Sequence, residues 1–275
     1  MAFTIDRVRR ITSYAASNKL AADNHGVGIN IGDILYTIKD VSNFSISNSA
    51  ETVDAVDGLG NVIDTYLRSK TAEMSGENAI FDMPLAATMA GTKVTKGAVS
   101  IDFHDVLACE ADGTTVKLNK TPKTGGEPTV VYSVNNDGTL KDQITIGEEE
   151  VDGATYSEGV ITFNETTLAK FVDKDGKRVK TNIFVPYTYE EANATKFENF
   201  ADAATIPSRV VVEGLGRDVC DHHQVYFYIT APYAELSYDG EFGFATDSTY
   251  NFTLNCKKPY CSEDGLYAVI VVDAQ

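Results

Sequence analysis

The chain has 275 residues, 43% of them hydrophobic and 23% charged, and is long enough to bury a core without disulfide or metal staples. Forty acidic against 23 basic residues leave a net charge of −17, a field that opposes binding to nucleic acid or to an anionic membrane. No Lys/Arg stripe with interleaved aromatics offsets that field, which argues against sequence-reading of nucleic acid.

Residues 1–29 read as an N-terminal arm. Its opening, "MAFTIDRVRRITSYAASNKL", has no apolar h-region, so no signal peptide is expected, and no later run is long enough to span a bilayer. Arg7, Arg9 and Arg10 stand apart there as a basic group in an acidic chain. "GVGINIG" at 26–32 spaces its glycines like a dinucleotide loop but has neither a strand before it nor a helix signal after it.

The stretch "VSNFSISNSAETVDAVDGLGNVIDTYLRSKTAEMSG" reads as strand, long polar loop, strand. Val41, Phe44 and Ile46 supply the apolar positions of the first arm, and Val62, Tyr66 and Met74 those of the second. Asp57–Gly58 and Gly60–Asn61 mark turns, and the loop carries Glu51, Asp54 and Asp57. "FDMPLAATMAG" follows as one short helix, with Asp82 as N-cap, Pro84 in the first turn and Gly91 just past the end. Phe81, Leu85 and Met89 form its apolar stripe.

From Asp105 to Pro207 the chain carries its own series of short strands, among them Val116 to Leu118 and Val130–Val134, with turns at Gly159 and Asp175–Gly176. This is the texture of a small β-rich insertion at 105–207 between two parts of a module formed by 30–104 and 208–275. Asn164-Glu165-Thr166 and Asn193-Ala194-Thr195 match the glycosylation pattern but lack a secretory context. The last third returns to hairpins, in "SRVVVEGLG", "HQVYFYITAP", "EFGFATDSTYNFTLNC" and "GLYAVIVVDAQ". Val225, Phe227 and Ile229 alternate with Tyr226 and Tyr228, giving a strand with two apolar faces.

No nucleophile elbow, Walker loop, His-Glu-x-x-His or EF-hand pattern is present, and no cofactor is expected. The acidic groups Asp54/Asp57 and Glu148–Glu150 read as solvated loop residues. Cys220, His222, Cys256 and Cys261 offer the ligand types of a zinc site, with His223 beside them. Their spacing fits no usual knuckle, and the simpler reading is reduced cysteines at strand ends, Cys109 among them.

The order of features in "ILYTIKDVSNFSISNSAETVDAVDGLGNVIDTYLRSKTAEMSGENAIFDMPLAATMAG", with the hairpins that end in "GLYAVIVVDA", resembles the tail tube (major tail) proteins of long-tailed bacteriophages. The 105–207 region is similar to the immunoglobulin-like or other β-rich insertions of phage structural proteins. The resemblance implies a mainly β fold, a tail-tube-type β-sandwich or β-barrel module with one short helix. It implies a non-enzymatic virion protein, made and assembled in the host bacterial cytoplasm, that stacks as hexameric rings into a tube for DNA ejection. Its partners would be copies of itself and other tail proteins such as sheath, tape measure, baseplate or terminator, with DNA passing through unbound and no membrane involved. On this reading an acidic wall suits the conduit, and Asp239, Glu241 and Asp247 are the expected lumen-lining residues. Arg7, Arg9 and Arg10 would meet the acidic loop of Glu51, Asp54 and Asp57 between rings. Two other readings stay open: a capsid decoration or baseplate component, and a carbohydrate-binding or zinc-stabilised β module using Tyr233, Tyr238 or Tyr260.

Overall fold

A computed structural model describes residues 2–20, 25–39, 41–135, 137–147, 153–238, 243, 245–246, 248–259 and 265–273. The chain is mainly β. In order, its elements are β1 (Phe3–Ala15), β2 (Ile34–Lys39), β3 (Ser42–Val56), β4 (Val62–Asn78), α1 (Met83–Met89), β5 (Thr95–Cys109), β6 (Thr115–Lys117), β7 (Val130–Val134) and β8 (Leu140–Thr145). They continue with β9 (Ala154–Ser157), β10 (Val160–Phe163), α2 (Glu165–Leu168), β11 (Thr181–Lys196), β12 (Ser208–Asp218), β13 (Gln224–Leu236), β14 (Tyr250–Cys256) and β15 (Ala268–Asp273). Two compact units result: residues 1–95 with 196–275, and residues 96–195.

The first unit is built on an antiparallel sheet in the order β2-β1-β12-β13-β14-β4-β3, with β15 also paired to β13. Residues expected as an N-terminal arm supply β1 to the interior of this sheet, between β2 and β12. Their spacing hid the strand. Val8 and Ile11 are three apart, yet both are buried, because a register shift between Val8 and Arg10 accommodates Arg9 and brings them onto one face. Ile11, Ile38, Met74, Val210, Phe252 and Leu254 meet in one core with Leu85 and Met89 of α1. The helix forms as its caps predict: the Asp82 carboxylate accepts from the Leu85 N–H at 2.8 Å, Pro84 lies in the first turn, and Gly91 takes φ +70°. A Cβ at Gly91 would run into the Ala204 carbonyl oxygen, and the Lys19 ammonium donates to both the Gly91 and Ala204 carbonyls, at 3.1 and 2.6 Å.

The second unit has a three-stranded sheet, β6-β10-β9, and a four-stranded sheet, β5-β11-β7-β8, around a core that includes Val131, Ile161, Phe163, Ile183 and Val185. It spans 96–195 where the sequence led to 105–207: β5, a single strand of 15 residues, begins at Thr95, before the expected start, and β11, of 16 residues, ends at Lys196, short of the expected end. α2 was not expected from sequence. Its signal was the stretch read as a glycosylation pattern: the Asn164 side chain accepts from the Thr167 N–H at 2.9 Å as an N-cap, with Glu165 in the first turn.

Candidate functional site

The segment from Ser42 to Asn78 is a single hairpin of two long strands, 15 and 17 residues, not two short strands around a long polar loop. Only residues 57–61 form the connection. The Asp57 carboxylate closes it, accepting from the Leu59 and Asn61 backbone N–H groups at 2.8 Å and from the Asn61 side-chain amide at 2.9 Å. Those bonds, the Asn61 amide first, hold the Asp57 carboxyl below the usual carboxylate range.

At the hairpin's base, β4 also pairs with β14, from Tyr250 opposite Asn78 to Cys256 opposite Ala72. Alternation there separates two faces. Ala72, Met74, Phe252, Leu254 and Cys256 are buried in the core. The opposite face is a lattice of hydroxyls, amides and carboxylates. Ser45, Ser75 and Thr253 align across three strands, as do Ser47, Glu73 and Asn255, with Ser49 opposite Thr71 and Ser42 opposite Glu77. The Ser45 and Ser75 hydroxyls are 3.0 Å apart, and Asn43 donates to the Glu77 carboxylate at 2.8 Å. No lysine or arginine stands at these face positions. A sheet face of this composition is built to meet water rather than a packed partner.

Beyond Ala72 the hairpin continues as an arm without β14. From Ala72 to Val62 it extends about 33 Å, at about 3.3 Å per residue. Val53, Val56, Leu59, Val62, Ile63, Tyr66 and Leu67 on it are all exposed, Leu59 at 90%. They lie on both faces, since Val53 is opposite Tyr66 and the adjacent Leu67 is opposite Thr52.

The residues singled out from sequence are dispersed. Arg10 is bound within its own sheet, donating to the Glu213 carboxylate at 2.7 and 2.8 Å, while Arg7 and Arg9 are exposed on β1. Glu51 accepts from Arg68 at 2.9 Å and Asp54 from the Thr65 hydroxyl at 2.7 Å, so both, like Asp57, are bonded within the hairpin. Asp239, Glu241, Asp247, Cys261 and Tyr260 lie outside the described residues. Cys220 and His222 sit in the turn before Gln224, where β13 begins, while Cys256 pairs opposite Ala234 near its other end. Ten residues of strand, about 33 Å, separate those two points, so the zinc grouping suggested by sequence is not brought together. Cys220 is exposed and Cys256 is buried, its thiol pushed up to about 11 by desolvation. His223 contacts Asp221 in the same turn. Tyr233 is half-buried, and the Tyr238 hydroxyl donates to the Ala203 carbonyl at 2.7 Å.

Among the described residues no cluster of three or more His, Cys, Asp or Glu side chains is placed to hold a metal, and no helix is long and apolar enough to cross a membrane. No curated protein matches the sequence. One family model does, from residue 29 to residue 268, so it covers most of both units. The chain belongs to the YomU/Tube protein family.

Proposed function

We propose that this protein is the structural subunit of a bacteriophage tail tube, assembling with copies of itself into stacked rings through which DNA leaves the particle. Six copies per ring is the number that the resemblance to tail tube proteins implies. Other tail proteins, such as sheath, tape measure, baseplate or terminator, would meet the finished tube, and the chemistry needs no enzyme centre and no cofactor.

One observation carries the conduit reading beyond the family: the uncharged-polar and carboxylate face across β3, β4 and β14, on the side of the sheet away from the core. A wall past which DNA slides must stay hydrated and offer phosphate no cationic hold, and Ser47, Glu73, Ser75, Glu77 and Asn255 meet both demands. Carboxylates brought close by ring closure are tolerable there, because ions in a water-filled channel screen them over about 8 Å at physiological salt. Electron microscopy of the purified protein at high concentration tests the reading. Rings or tubes with an open channel are expected; uniform monomeric particles at every concentration would refute it and favour a decoration or binding module.

A further inference from the structure

The large sheet has an unfinished edge. β13 pairs with β15 from Val225 to Thr230 and with β14 from Ala234 to Leu236, and the far edge of β15 meets no strand among the described residues. From Ala268 to Val272 this strand has no charge, proline or glycine. Val269, Ile270 and Val272 are 53, 51 and 47% exposed, so both its faces are open as well as its edge. Monomeric proteins blunt such an edge with lysine, proline or a bulge, because it is otherwise a template for another strand. β15 carries none of these.

The arm supplies the matching element. Between Val62 and Thr71 the edge of β4 that faces β14 at the base has no strand beside it, and the arm does not pair with the β15 of its own chain. A two-stranded ribbon alone is marginal in water, and apolar side chains on both of its faces call for cover on both. The two edges of the arm are not equivalent. The β4 edge continues the one that β14 covers at the base, whereas β3 pairs with β4 alone among the described residues. From Val62 to Leu67 the β4 edge holds Asp64 as its one charge, so joining that stretch to β15 desolvates few charges.

We infer that the β4 edge of the arm of one copy adds as a strand to the free edge of β15 in a second copy. This rests on the self-assembling tube reading and names the surfaces that join its subunits. Donor and acceptor are different patches and each chain holds one of each, so the contact is head-to-tail and propagates until it closes, which is the symmetry of a ring.

Two chains with one introduced cysteine each test it, both carrying Cys220→Ser and Cys261→Ser and keeping the buried Cys109 and Cys256. One adds Thr65→Cys, Leu67→Cys or Ser69→Cys on the arm, and the other adds Ala268→Cys, Ile270→Cys or Val272→Cys on β15. Mixed and oxidised under assembling conditions, at least one combination should give disulfide-linked heterodimers, which only contact between copies can produce. In parallel, Ile270→Lys should raise the protein concentration needed for assembly by about tenfold or more while leaving monomer unfolding unchanged. Rings that form without cross-linking in any combination, or that tolerate Ile270→Lys, overturn the pairing and leave the tube reading standing. Protein that stays monomeric at every concentration overturns both.

Discussion

At its base the β3–β4 hairpin is held on three sides, by β14 along one edge, by the core under Ala72 and Met74, and by water over a polar face. A few residues further along the same ribbon, no third strand and no core lie beside it among the described residues, and Tyr66 and Leu67 stand exposed on opposite sides. The base shows the economy of a folded domain, with each apolar residue covered by its own chain. The arm has that residue chemistry without the cover. What the difference teaches is that stability and assembly are written on separate stretches of one element, so substitutions should separate them.

The widest separation is expected between two leucines. Leu254→Ala, at a fully buried position beside Met74, should lower the unfolding free energy by about 2–5 kcal/mol in chemical denaturation. Leu67→Ala on the arm should stay within about 0.5 kcal/mol of the parent in the same measurement. Equal losses at the two sites would mean that the arm is part of the core after all.

Glycines sharpen the comparison next. A Cβ on Gly76 would come within 2.7 Å of the Phe252 ring and 2.9 Å of Val41, so Gly76→Ala should cost about 1–3 kcal/mol through overpacking. Gly58, at the arm's turn, has nothing within 4 Å of that position, and Gly58→Ala should change stability by no more than about 0.5 kcal/mol.

How much of this was legible depended on whether each strand obeyed a simple period. The alternation of β13 and the caps of α1 are local patterns, and both elements lie where those patterns point. β1 was not legible, because its bulge at Arg9 breaks the alternation and makes Val8 and Ile11 look unrelated. The hairpin misled differently. Ser47, Ser49, Glu51 and Asp54 have the composition of a loop, and only pairing with β4 and β14 turns serines and glutamates into one continuous face. That face was therefore missed, and the carboxylates chosen in its place, Asp239, Glu241 and Asp247, fall outside the described residues. The zinc alternative, set behind reduced cysteines at strand ends, rested on residue type alone, which does not show that Cys220 lies in the turn before β13 while Cys256 lies on β14 beside the far part of that strand.

Acid should distinguish base from arm without any substitution. Asp57 is held below its ordinary value in the folded hairpin by its bonds to Asn61 and Leu59, so its contribution is present above the unfolded value of 3.8 and is lost as pH falls through the folded one. Protection of the Leu59 and Asn61 amides, taken relative to their intrinsic exchange rates at each pH, should fall on acidification through that range, while amides of the β4–β14 ladder keep theirs. Protection lost equally in both places would contradict the separation.

The smallest effect is chemical. Cys256 lies at the clamped base with its thiol buried and pushed up to about 11, whereas Cys220 is exposed. At neutral pH an alkylating reagent should modify Cys220 in the native protein and leave Cys256 untouched until the protein unfolds. Early modification of Cys256 would show that the base opens on its own.

The central claim is that the polar face of β3, β4 and β14 is a channel wall, and a cryo-electron microscopy reconstruction of the assembled protein tests it most directly. The account predicts Ser47, Glu73, Ser75, Glu77 and Asn255 projecting into a water-filled lumen, with Met74 and Leu254 on the far side of the same strands. A reconstruction that places this face on the outside of the tube, or dry against a neighbouring subunit, would contradict it.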